Sequence, residues 1–104
     1  MEAAFAALGD PTRKAVFDRL RKGPQTVGAL AAGLPVSRPA ISQHLKILKE
    51  AGLVSDQADG TRRLYRIDSA VLQRLQAYLL AVLDEMEAAH RAEIERQMEE
   101  RRYG

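Results

Sequence analysis

Apolar residues recur along this chain with two different periods, and the change of period divides it. From Ala3 to Leu53 they fall three and four residues apart, the spacing of helices buried on one side. A first short apolar segment, around Ala3 to Leu8, ends at Gly9. In "GDPTRKAVFDRLRKGP", Asp10 is placed to cap a helix, and Pro11 fits its first turn, where a missing N–H costs nothing. Ala15, Val16, Phe17 and Leu20 make its buried stripe, and Gly23-Pro24 stops it. Thr26 caps "TVGALAAGL", with Val27, Leu30, Ala31 and Leu34 on one face. Past Pro35, Ser37 caps a helix from about Arg38 to Ala51, with Pro39 in its first turn and Gly52-Leu53 as a glycine stop.

The period then shortens. "LVSDQADGTRRLYRI" holds two strand-like runs around Asp59-Gly60, a strong hairpin signal. From Ser69 to Tyr103 there is neither Gly nor Pro. Leu72, Leu75, Leu79, Val82, Leu83 and Met86, with Val71 before them, form an apolar stripe that Ile94 and Met98 continue weakly. A helix of this length spans roughly 50 Å at about 1.5 Å per residue, more than a small domain can cover. A second copy of the chain can cover it, so the stripe predicts a homodimer interface. The expected fold is mainly α with a small β-hairpin: a winged helix-turn-helix with a long C-terminal dimerisation helix. It forms one domain over residues 1–104, with a DNA-binding core of about 10–68 and the terminal helix at about 69–102.

Composition narrows the chemistry. At 104 residues with 46% hydrophobic and 29% charged positions, the chain reads as one globular domain. Without Cys it has no disulfide, thiolate metal site or cysteine nucleophile. No apolar run is long enough to cross a membrane, and "MEAAFAALGD" is no signal peptide, so the expected location is the cytoplasm. The net charge of +2 hides an asymmetry. Residues 1–68 hold 11 Lys/Arg against 7 Asp/Glu, and residues 69–104 hold 5 against 7, so an anionic partner belongs to the first part.

The helix in "VSRPAISQHLKILKEAGLV" locates that partner. On a wheel of about 100° per residue, Leu45 and Leu48 lie within about 40° of Ile41 and mark the buried side. Arg38, Ser42, Gln43, Lys46 and Lys49 share an arc of roughly 60° to 200°, with Glu50 its one carboxylate, at the far end. Such a face can donate to phosphates and to base edges in a major groove. The competing reading is an ordinary solvated face. What favours double-stranded DNA is the order of elements: a helix, a tight Pro-containing turn, this helix, then a hairpin carrying "GTRR". Arg62 and Arg63 can there enter a minor groove or clamp the backbone. His44 lies near 300°, beside Leu48, which suits packing or a phosphate at the flank better than base reading. No Ser/His/Asp set, phosphate loop or ligand cluster stands out, and no enzyme is expected.

These motifs resemble the ArsR/SmtB family, dimeric winged-helix repressors of bacteria, over nearly the whole chain. "LGDPTRKAVFDRL" is similar to the family's leading helix, "VSRPAISQHLKILKEAGLV" to its recognition helix and "DGTRRLYRID" to its wing. The resemblance implies a repressor whose terminal helices pack across a two-fold axis and which binds inverted repeats near a promoter. By position it implies DNA contacts from Ser37, Arg38, Ser42, Gln43 and Lys46 and from Arg62 and Arg63, while His44 matches a histidine common in the family. The family's metal sites do not carry over. Where its arsenic and cadmium/lead sensors hold cysteines, this chain has Thr26 and Gly28. Its zinc sensors pair an Asp-x-His with a later His-x-x-Glu; His90 and Glu93 fit the second half, but Ala77 and Leu79 stand at the first. A metal-independent branch with no cofactor is therefore expected, its inducer unspecified. Two rivals stand beside it: a metal-responsive repressor using His90, Glu93 and nearby carboxylates, and a winged-helix module for protein contacts. An aromatic-free basic face disfavours the latter.

Overall fold

In the computed structural model, which describes residues 1–103, five helices and one hairpin follow in the order expected. Helices α1 (Glu2–Leu8) and α2 (Pro11–Arg19) lead into a 3-10 turn at Leu20–Lys22. Helices α3 (Val27–Ala32) and α4 (Arg38–Glu50) form the helix-turn-helix. Strands β1 (Val54–Asp59) and β2 (Arg62–Ile67) make the wing, and α5 (Ser69–Tyr103) is continuous. The chain divides into two compact units, Met1–Gln73 and the remainder from Arg74.

The expected caps set the starts of α2, α3 and α4. The Asp10 carboxylate accepts from the Arg13 N–H at 2.8 Å, Thr26 Oγ1 from Ala29 at 3.1 Å and Ser37 Oγ from Ala40 at 3.3 Å. Helix α4 ends in a Schellman motif: the Leu53 N–H reaches Leu48 O and the Gly52 N–H reaches Lys49 O, both at 3.0 Å. Gly52 has φ +78°, and a Cβ there would also meet Val71 Cγ2 at 2.8 Å, so glycine is required on two counts.

The core of the first unit joins Val16 and Leu20, Leu30 of α3, Ile41, Leu45 and Leu48 of α4, and Leu53, all 2% exposed or less. Each such aliphatic side chain contributes about 1.5–3 kcal/mol by leaving water. Phe17 and the small Ala4 and Ala7 of α1 are buried beside them.

The wing departs from expectation in one detail. Its turn is Gly60-Thr61, one residue later than an Asp59-Gly60 turn, and Asp59 pairs with Arg62. Gly60 takes φ +61° while Thr61 keeps a negative φ, the pattern of a II′ turn with glycine first. Gln25 adds a strand-like contact that the periodicity does not reveal. It exchanges backbone hydrogen bonds with Tyr65 at 3.0 and 2.9 Å, fastening the base of the wing to the segment before α3.

In the second unit, α5 leaves its apolar stripe largely uncovered. Leu79 is 52% exposed, Leu83 51% and Met86 62%, and Tyr78 and Leu80 are likewise exposed. Of the residues expected at a dimer interface, Leu72 and Val82 are half-buried and Leu75 is already buried in the single chain.

Candidate nucleic-acid interface

Ile41, Leu45 and Leu48 bury one side of α4, and this fixes what the opposite side presents. Arg38, Ser42, Gln43, Lys46 and Lys49 are all exposed along it, as is the cap residue Ser37. Among the described residues, the side chains of Arg38, Gln43 and Lys46 take no intramolecular hydrogen bond or ion pair. Their donors are therefore free for another molecule. Ser37 Oγ is engaged as the cap acceptor, which leaves its hydroxyl proton to donate. His44 is half-buried, and its Nδ1 is shut off from solvent without a partner, so that nitrogen is not presented on the exposed face of α4.

The charged residues at the wing differ from one another. Arg62 lies next to the turn, 69% exposed, and meets the 51% exposed Asp59 only loosely, at 3.8 Å. Arg63 instead donates through Nε to Asp56 Oδ2 at 2.6 Å, and Lys49 Nζ reaches Asp56 Oδ1 at 2.7 Å. The Asp56 side chain is only 7% exposed, whereas its two partners are 55% exposed. The hydrogen bond from Lys49, followed by that from Arg63, holds the Asp56 carboxyl below its usual range, against the opposing effect of burial. One carboxylate thus ties the end of α4 to the wing. It also neutralises part of the charge that the wheel and the motif assign to DNA.

Sequence reasoning passes over Asp56 and Gln25, and takes Gly28 only as a position where a metal-sensing cysteine is missing. The wing register places Asp56 and Arg63 diagonally on one face, because Asp56 pairs with Tyr65 and Arg63 with Ala58. Gly28 supports Arg38: a Cβ there would lie 2.5 Å from an Arg38 guanidinium nitrogen. For the metal-ligand reading, Arg96 donates to Glu93 Oε2 at 3.1 Å and Gln97 to Oε1 at 3.2 Å, so that carboxylate is already engaged. Among the described residues no three His, Cys, Asp or Glu side chains converge as a metal site needs. No described helix is long and apolar enough to cross a membrane.

Comparison with known proteins bears on this geometry. Residues 8–57 match the helix-turn-helix domain family. The "HTH-type transcriptional regulator Rv2034" of Mycobacterium tuberculosis is 54% identical over 78 residues, covering 75% of this chain and 73% of that protein. The "Transcriptional repressor SdpR" of Bacillus subtilis is 41% identical over 73 residues, 70% of this chain and 81% of the relative. Among solved structures, the "ArsR-like Transcriptional Regulator" of Rhodococcus sp. RHA1 superposes with a TM-score of 0.80 at 35% identity, over 88% of this chain and 86% of its own. The "homodimeric winged helix-turn-helix DNA-binding domain (fragment 1-100)" from Mycobacterium bovis gives 0.65 at 33% identity, over 82% and 79%.

Proposed function

The chain belongs to the ArsR/SmtB family of winged-helix transcriptional regulators, and on that premise we propose a homodimeric repressor of an inverted-repeat operator that needs no metal. One observation carries the proposal: the exposed face of α4 holds Arg38, Gln43 and Lys46 with their donors unclaimed, beside a wing that offers Arg62. In the major groove, Gln43 and Ser42 read base edges while Arg38 and Lys46 meet phosphates or guanine. Arg62 neutralises backbone charge at the neighbouring minor groove.

A single reading helix covers few base pairs, so sequence specificity calls for two copies on one site. The uncovered stripe of α5 offers the means, and the homodimeric relative supports it. Bound across a promoter, such a dimer blocks transcription by occupancy alone. Metal independence rests on the donor set: no Cys, two His, and a Glu93 already held by Arg96.

Selection of bound duplexes from random DNA tests the reading. The expected product is an inverted repeat with half-sites about one helical turn apart, roughly 10 base pairs. Enrichment of no sequence would refute it. Zinc or cadmium should leave operator affinity within about twofold. A chelator-reversible loss of tenfold or more, abolished by His90→Ala, would establish a metal sensor instead.

A further inference from the structure

A cleft of about 620 Å³ opens between α3, the first turn of α4 and the wing, entirely within the first unit. We propose that this cleft binds a small organic anion with an apolar body, and that its occupancy releases DNA. The second half of this inference rests on the DNA-binding reading above; the first does not.

Size and lining together define the ligand. The volume lies within the roughly 300–1,000 Å³ of small-molecule sites, more than a bare oxyanion can fill. Arg38, Arg62 and Arg63 line the cleft, and no carboxylate-bearing residue does. Guanidinium groups fork onto carboxylate and phosphate oxygens in pairs, so the ligand's head is an anion. The Arg38 guanidinium is seated over Gly28, where any larger side chain would displace it. Arg63 spends its Nε on Asp56, which offsets one of the three positive charges and leaves its terminal nitrogens for a ligand. Asp59, 3.8 Å from Arg62, offsets part of a second charge, and the remaining excess suits a monoanion or dianion.

The rest of the lining is apolar or neutral. Val27, Ala29 and Tyr65 contribute to it, and the Tyr65 backbone is fixed by its two hydrogen bonds with Gln25. That part of the cleft is therefore preformed and can cover a ring or a short alkyl body. Arg38 and Arg62 cannot serve a cleft ligand and DNA phosphates at once, so the two compete.

Phenyl phosphate, inorganic phosphate and neutral phenol serve as probes at constant ionic strength. The Val27 and Ala29 methyl resonances of the full chain report binding in the absence of DNA. Phenyl phosphate should shift both saturably and at least tenfold more tightly than inorganic phosphate, while phenol shifts neither. Ala29→Trp, at an exposed position that fills the cleft, and Arg38→Met, which removes a cation, should each abolish the response. Fluorescence anisotropy with a selected duplex should then show a Kd raised at least tenfold by saturating phenyl phosphate. No saturable shift, or equal binding of inorganic phosphate, overturns the ligand class. Methyl shifts without weaker DNA binding overturn the competition. Failure to bind DNA before any anion is added overturns the repressor reading while leaving the methyl result to stand.

Discussion

The two units use the same apolar alphabet to opposite ends. In the first, the stripe Ile41, Leu45 and Leu48 of α4 is fully buried, and the polar residues are pushed to one face. In the second, a stripe of equal regularity keeps Leu79, Leu83 and Met86 half exposed or more. On the wheel, residues 72 to 86 of that stripe fall within an arc of roughly 100°, wide enough for a packed interface. Periodicity therefore says which side of a helix is to be covered, but not by what. In the first unit the cover is the chain itself; in the second it is proposed to be another copy.

The sharpest way to break this contrast is to charge the second stripe. Leu79→Glu or Leu83→Glu leaves a single chain little changed, because both sites are about half open to water. In a dimer it buries an unpaired carboxylate, costing about 3–5 kcal/mol. Sedimentation should show a wild-type dimer at micromolar concentration and a variant monomer of unaltered helicity. Operator affinity should fall about a hundredfold or more, since each 1.4 kcal/mol is worth roughly tenfold. A wild type that sediments as a monomer would remove the dimer from the proposal.

Next in size is damage to the closed core. Leu45→Ala removes a side chain with no exposure at all, and a loss of about 2–5 kcal/mol is expected by urea unfolding. Against the 5–15 kcal/mol typical of whole domains, this is a large part of the total. The same truncation at exposed Leu80 should change monomer stability by less than about 0.5 kcal/mol.

A finer comparison lies within the basic surface. Gln43→Ala should lose about 1–3 kcal/mol of discrimination at one or two operator positions, with the salt dependence unchanged. Arg62→Ala should weaken binding to all sequences and make the log–log salt slope shallower by about one unit per subunit. Arg63→Ala should alter that slope by less than half as much, because Asp56 already neutralises it. Titrations of operator and scrambled duplex over a salt series measure all three. Equal slopes for the two arginine variants would show that the ion pair opens on DNA.

What the sequence makes legible follows from the range of the interaction. Caps, stops and the buried side of α4 depend on neighbours within four residues, and Asp10, Thr26, Ser37 and Gly52 announce them. The exposed face of α4 follows from the same wheel. Contacts between distant segments are hidden. Gln25 meets Tyr65 across 40 positions, and nothing in "GPQTV" marks that pairing. Asp56 reads as one more polar residue in a strand. Its meaning depends on a turn at Gly60-Thr61 rather than at Asp59-Gly60, and on Lys49 arriving from the end of α4. For the same reason Lys49 and Arg63 look like free DNA ligands in sequence, though the structure engages both.

That ion pair sets the smallest and most specific test. Asp56→Asn keeps the shape and removes the charge, leaving Lys49 and Arg63 to water. Because both partners are more than half exposed, solvent screening limits the cost to about 1 kcal/mol at neutral pH. The pH dependence identifies the source. The folded-state pKa of Asp56 is depressed below its unfolded value, so the pair's stabilisation is fully present above the ordinary aspartate range. It disappears as pH falls through that range towards the lowered folded value. Urea unfolding of wild type and variant should therefore show the same gap at pH 7 and pH 5, and a shrinking gap below about pH 4. A gap that persists undiminished at pH 3 would trace the loss to packing of the asparagine rather than to charge. It would also free Arg63 to act on DNA as is proposed for Arg62.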